Sequence, residues 1–124
     1  MLGLAHLPNF AQTRLENLRI IVGFPPGGTT DAFARRIAEK MRGTYANNVI
    51  VDNKPGAGGQ IGVTTLKSAA ADGAHILYSP ASMLTSYPHS YTRLSYAQSD
   101  VTPIGIGHST DSFCLFYQFP RFLY

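Results

Sequence analysis

Tryptophan is missing from this chain, cysteine occurs once, and charged side chains make up only 14% of the 124 residues. The single Cys114 excludes a disulfide framework and a thiolate metal cluster, and it leaves the redox compartment open. No window is both long and uncharged enough to cross a bilayer, so a membrane-embedded chain is not expected. The net charge is only +3. Arg35, Arg36, Lys40 and Arg42 alternate with Glu39 at the spacing of a solvated helix face. A nucleic-acid binder needs a basic stripe interleaved with aromatics, and none is present, so no nucleic-acid partner is expected. No two of the four histidines have metal-ligand spacing, and Ser79 and Ser82 do not sit in a G-x-S-x-G elbow. The expectation is therefore no catalytic residue, no metal, no cofactor, and a protein that is not an enzyme.

The length suits one domain with a modest core. Residues 1–17 read as a leader remnant or a disordered start. Leu2, Leu4, Ala5 and Leu7 form a short apolar stretch before Asn9-Phe10-Ala11-Gln12, without the basic region of a complete export signal. Residues 18–107 read as a partial α/β lobe. A strand over Leu18 to Phe24 ends at Pro25-Pro26-Gly27-Gly28, and a helix follows with Thr29 or Thr30 as its cap and Asp31 in its first turn. Phe33, Ile37 and Met41 recur every four residues with Ala34 and Ala38 beside them, and Gly43 supplies a left-handed stop.

A second strand, Val49 to Val51, leads through Asp52-Asn53-Lys54-Pro55-Gly56-Ala57-Gly58-Gly59 into a helix from about Gln60 to Ala71. A third strand, His75 to Tyr78, runs into Ser79-Pro80-Ala81-Ser82, and a weaker fourth covers Val101 to Ile106. This alternation predicts a three-layer α/β fold with a mostly parallel sheet and helices on both faces. Tyr87 to Asp100 is polar and reads as a surface connection. Residues 108–124 crowd Phe113, Phe116, Tyr117, Phe119, Phe122 and Tyr124 together with no period of two or 3.6. A terminal strand with aromatic packing is one reading of them. The missing periodicity favours the other, an aberrant tail never selected to fold here, such as translation past a frameshift.

In an open α/β sheet, ligands bind at the carboxyl ends of the strands, where loops enter helix N-termini. Both glycine-rich stretches hold that position. Gly27 and Gly28 allow close backbone approach, and the N–H groups of Thr29, Thr30 and Asp31 point outward ahead of a positive helix end. Gly56, Gly58, Gly59 and Gly62 do the same in the second stretch. Two such ends on one cleft make a site for a carboxylate or another small anion. A tight structural turn explains either glycine loop equally well. Asp31 reads either as a favourable first-turn acid or as an acceptor for a ligand donor.

Two motif mimics fail. The first loop has no lysine before its hydroxyl residue, as a phosphate-binding loop requires. The second has G-x-G-x-x-x-G spacing where a dinucleotide fingerprint has G-x-G-x-x-G, and no acid stands at the end of the third strand. A small nucleotide- or phosphate-binding α/β enzyme remains the alternative reading.

The loops also carry a resemblance. Ile20-Ile21-Val22-Gly23-Phe24-Pro25-Pro26-Gly27-Gly28-Thr29-Thr30-Asp31 resembles the opening F-P-P-G-G-x-x-D motif of the Bug, or tripartite tricarboxylate transporter (TctC-like) receptor, family. Val51-Asp52-Asn53-Lys54-Pro55-Gly56-Ala57-Gly58-Gly59-Gln60-Ile61-Gly62 is similar to its second motif, V-x-N-x-P-G-A-G-G-x-x-G. Ala71-Asp72-Gly73 matches its A-x-D-G stretch, with Ala74 and His75 in place of the usual Tyr-Thr, and Val101 to Gly105 resembles the next strand. The resemblance runs from about Leu18 to Gly107.

It implies part of one lobe of a type II periplasmic-binding-protein fold, periplasmic if exported. The implied role is to receive a small carboxylic acid and deliver it to the membrane transporter subunits of an uptake system. By position it implies ligand contacts from Pro26, Gly27, Gly28, Thr29 and Thr30, a side-chain role for Asp31, contacts from Gly56, Ala57, Gly58, Gly59 and Gln60, and ligand choice at Ser79 and Ser82. Members of that family are much longer and enclose the ligand between two lobes, so the expectation is a truncated receptor that binds weakly or not at all.

Overall fold

The computed structural model describes residues 14–108 and 113–117. The chain runs β1 (Leu15–Val22), α1 (Thr29–Met41), β2 (Ala46–Asn53), a 3-10 turn (Ala57–Gly59), α2 (Gln60–Ser68) and β3 (His75–Pro80). Two short helices follow, α3 (Ser82–Thr85) and α4 (Tyr87–Ser90), then a 3-10 turn (Gln98–Asp100), β4 (Thr102–His108) and β5 (Phe113–Tyr117). The sheet order is β2-β1-β3-β5-β4. β1 pairs parallel with β2 and β3, while β5 lies antiparallel between β3 and β4, so β5 alone runs against the rest.

Alternation along β1 sends neighbouring side chains to opposite faces. Leu18, Ile20 and Val22 pack with Val49, Ile76 and Tyr78 against Ala34 and Ala38 of α1. Ile21 and Leu77 face the other way, onto Val63 and Leu66 of α2, with Met83, Tyr96 and Val101. Helices thus cover both faces, and Ile20-Ile21-Val22 at the end of β1 is the continuous apolar run that a doubly covered parallel strand requires. Each fully buried Leu, Ile or Val contributes about 1.5–3 kcal/mol.

Several expectations need correction. β1 begins at Leu15 and β2 at Ala46, because Leu15 pairs with Ala46 and Asn17 with Asn48, extending the ladder through polar residues. Ala34 and Ala38 of α1, not its larger apolar residues, are buried. Small side chains let the helix approach the sheet, while Phe33, Ile37 and Met41 pack half-buried at its margins. The cap of α1 is Gly28, not a threonine. α2 stops at Ser68, where Ala69 turns extended and its N–H reaches back to Leu66 O at 3.1 Å.

The segment read as a surface connection buries Tyr96 to 5% exposure. Within residues 108–124, Phe113–Tyr117 forms β5 and pairs with β3 and β4. Most of the expected leader, and positions 109–112 and 118–124 of the tail, lie outside the described residues.

Candidate functional site

β1 and β2 are adjacent and parallel, so the loops that leave their carboxyl ends emerge side by side. Glycine brings them into contact. A Cβ on Gly23 would lie 2.7 Å from Gly59 O and 2.9 Å from Gly59 Cα, and one on Gly62 would lie 2.9 Å from Gly23 Cα. The start of α2 is therefore seated on the end of β1. Lys54 N–H donates to Val22 O at 2.7 Å and holds the second loop at the same level.

The first loop turns at Gly27, whose φ is +92°. Pro25 to Thr29 are exposed, and Thr30 is buried. Gly28 caps α1 with extended backbone and no side chain. The first bond of the helical ladder is from Ala32 N–H to Gly28 O, at 3.0 Å. The N–H groups of Thr29, Thr30 and Asp31 precede it, at the positive end of a 13-residue helix.

Asp31 is 4% exposed and turned into the protein. Its Oδ2 accepts the Gly27 N–H at 3.0 Å and Arg35 Nε–H at 2.9 Å, and its Oδ1 accepts from Asn53 Nδ2 at 3.0 Å. The hydrogen bond from Arg35 is the largest cause that holds the carboxyl down to about 2, assisted by Gly27 and Asn53 against the opposing effect of burial. Of the two readings of Asp31, the structure supports the intramolecular one, because three donors of the protein already surround the carboxylate.

The second loop winds through four successive positive φ angles: Gly56 +132°, Ala57 +50°, Gly58 +65° and Gly59 +95°. Ala57 is the described non-glycine residue in that half of backbone space, where an L-residue costs roughly 1–2 kcal/mol. Gly56, Ala57 and Gly58 are exposed. Tyr87 Oη donates to Gly58 O at 2.9 Å, and its ring lies 4.7 Å from that of Tyr91. Burial first, and then Tyr91, raise the Tyr87 hydroxyl above its ordinary value. Gly59 is buried against Met83 and Phe24. Gln60 is also buried, and its Oε1 accepts from Ser95 N–H at 3.3 Å and Ser95 Oγ at 3.2 Å. Its side chain therefore braces the connection to β4.

Ser79 is likewise placed inside the protein. Alternation along β3 turns it inward, where it is fully buried and its hydroxyl donates to the Met83 sulfur. Ser82 opens α3, half-buried. Sequence reasoning missed Asn53, which stands inside the second motif. It also missed the Tyr87/Tyr91 pair, whose spacing of four was hidden in a stretch read as connection.

A groove of about 440 Å³ along α2 is lined in part by Arg19, Asp52, Lys54, Thr64, Thr65, Ser68 and His75, and most of its polar groups are engaged within the chain, the buried Nδ1 of His75 excepted. Asp52 pairs with both cations, and the three hydroxyls donate to carbonyls of their own helix. Among the described residues no group of His, Cys, Asp and Glu could hold a metal ion, and no helix is long and apolar enough to cross a membrane.

Known proteins share this fold. The sequence pattern described as the tripartite tricarboxylate transporter family receptor matches residues 33–118, which carries the similarity beyond Gly107. A UPF0065 protein of Bordetella pertussis is 38% identical over 87 residues, 70% of this chain and 27% of that protein. Protein BugT of the same organism is 43% identical over 65 residues, 52% of this chain and 20% of that protein. Among solved structures, the periplasmic binding protein BugD is 39% identical with a TM-score of 0.66, covering 73% of this chain and 30% of that one. MatC from Rhodopseudomonas palustris, solved with bound malate, is 27% identical with a TM-score of 0.61, covering 76% and 32%. The chain thus spans between a fifth and a third of the length of these relatives.

Proposed function

This chain belongs to the tripartite tricarboxylate transporter receptor family, and on that premise we propose that it carries the carboxylate-gripping loops of a periplasmic solute receptor. The observation that carries the proposal is the contact between the two glycine loops. Gly23 packs on Gly59 and Gly62, which sets the uncapped start of α1 beside the left-handed turn before α2. The N–H groups of Gly28, Thr29 and Thr30 take one end of a small carboxylic acid, with Pro26 and Gly27 shaping the turn. Gly56, Ala57 and Gly58 line the facing side, and Ser82 lies at the third loop. The acid is passed to membrane transporter subunits of an uptake system, and the role is binding rather than catalysis.

Magnitudes limit the affinity of this lobe. Each helix end contributes about 0.3–2 kcal/mol through its dipole, and a hydrogen bond to a charged group roughly 1.5–3 kcal/mol. Micromolar binding requires about 8 kcal/mol. The 124-residue chain measured by itself should bind in a range nearer millimolar.

The relatives suggest the ligands to try, since one was solved with malate and another with adipate. Chemical-shift titration of the isolated chain with malate, adipate, inorganic phosphate and a nicotinamide dinucleotide tests the reading. Saturable shifts at residues 27–31 and 56–59 with the acids are expected. Shifts with phosphate or dinucleotide alone would replace the receptor by the nucleotide- or phosphate-handling alternative.

A further inference from the structure

We infer that Asn53 is the positioning residue of this site: one side-chain amide ties both ends of the first loop to the strand that launches the second. The inference rests on the carboxylate-receptor reading for its functional consequence, and on geometry for the rest. An Asn Nδ2 carries two hydrogens. Here one goes to Phe24 O at 3.1 Å, immediately before the Pro25–Thr30 loop, and the other to Asp31 Oδ1 at 3.0 Å, immediately after it.

Asn53 is the last residue of β2, in register with Val22 of β1, so the backbone that continues from it is already the second loop. The remaining oxygen of Asp31 accepts the Gly27 N–H at the apex of the first loop. A chain of three groups therefore runs from the second strand to the turn that presents the Gly28, Thr29 and Thr30 N–H groups. Without it, Gly27 and the two exposed prolines are free to rise or sink relative to Gly56–Gly58. Asn53 need not touch the ligand. It acts through the backbone it holds, and its isostere aspartate has no hydrogen to give either acceptor.

The test uses the full chain with Asn53→Asp, which keeps shape and removes both donors, Asn53→Ala, which removes both, and Asn48→Ala as a control elsewhere on β2. Amide chemical shifts and hydrogen exchange at Gly27, Gly28 and Thr29 are measured together with the carboxyl carbon of Asp31 as pH falls. Both Asn53 variants should speed exchange at Gly27 by about tenfold, the scale of losing one hydrogen bond to a charged group. They should also move the Asp31 midpoint up toward the ordinary carboxylate range and weaken malate or adipate binding by roughly tenfold or more.

Unchanged loop amides in a folded Asn53→Asp protein would overturn the inference. So would weaker acid binding with the loop amides unmoved, because Asn53 would then act by direct contact. If Asn53→Ala fails to fold, the isosteric variant decides. If the unmodified chain binds neither acid, the receptor reading falls separately, and the Gly27 amide and Asp31 titration still decide whether Asn53 holds the loop.

Discussion

Replacing Gly28 by aspartate should uncouple the stability of this lobe from its capacity to hold an acid. Gly28 has φ −78° and ψ 173°, the extended geometry of an N-cap, so no glycine is needed there for backbone reasons. Space is available too, since the nearest atom to an added Cβ is Pro25 O at 3.7 Å. An aspartate in that position accepts the N–H of Thr30 or Asp31, the second and third residues of α1.

Relative to glycine, the cap is worth only a few tenths of a kcal/mol. The new charge at the positive helix end adds about 0.3–1 kcal/mol. Repulsion from Asp31 opposes this, but Arg35 lies 2.9 Å from that carboxylate and offsets most of it. The net expectation is a stability change between roughly zero and +1 kcal/mol, which for a domain of this size raises Tm by no more than about 4–8 °C.

Binding moves the other way. The introduced carboxylate takes N–H groups that a ligand carboxylate would use, and it repels that ligand by about 1–4 kcal/mol at 4 Å, depending on the effective dielectric. Affinity should fall by tenfold or more, because every 1.4 kcal/mol is about a factor of ten. Gly28→Ser, which caps without a charge, should lose less. Urea unfolding and titration with malate are the paired assays. A Gly28→Asp protein that is folded and binds malate as well as the parent would refute the claim that the start of α1 holds the acid.

Three further outcomes follow from the same contacts. Gly62→Ala gains about 1 kcal/mol of helix propensity, but its Cβ would meet Gly23 Cα at 2.9 Å. Overpacking of about 1–3 kcal/mol should win, and a raised urea midpoint would show that the two loops are not in hard contact. At Ala57, whose φ is +50°, substitution by glycine should change stability by less than about 1 kcal/mol, while valine should lose about 1–2 kcal/mol more than alanine already does, because a β-branched residue fits left-handed space worse. Equal melting temperatures for the two would argue against the left-handed turn.

Asp31 titrates at about 2 in the folded protein against an ordinary 3.8. A depressed carboxyl stabilises the fold above the unfolded value and loses that contribution as pH falls through the folded one. Between about pH 4 and pH 2 the protein should therefore lose about 1–2 kcal/mol, the upper figure reduced because Arg35 is half exposed. Asp31→Asn should flatten that part of the pH profile of urea unfolding, and an unchanged slope would remove Asp31 as its source.

The fold was legible where one pattern served one purpose. Ile20-Ile21-Val22 had to be a strand covered on both faces, and the two glycine stretches had to be turns at strand ends. Both expectations depend on composition over a few adjacent residues. The pattern misled where a residue answered to a distant neighbour. Asp31 reads as a first-turn acid or a ligand acceptor until Asn53, 22 positions away, is seen to occupy one of its oxygens. Gln60 and Ser79 sit at the right places for ligand contact, yet Ser95 and Met83 claim their side chains.

The sorting has a physical basis. At a site built from backbone N–H groups, most of the side chains nearby are engaged in holding the backbone still, so motif position identifies the loops more reliably than it identifies contacts. The same distinction separates the first loop, whose exposed Gly28–Thr29 backbone faces solvent, from the second, whose carbonyl at Gly58 is already held by Tyr87. On the proposed reading, an acid held between them would meet one positive helix end and one braced turn, with the geometry between the two set by how Asn53 joins them.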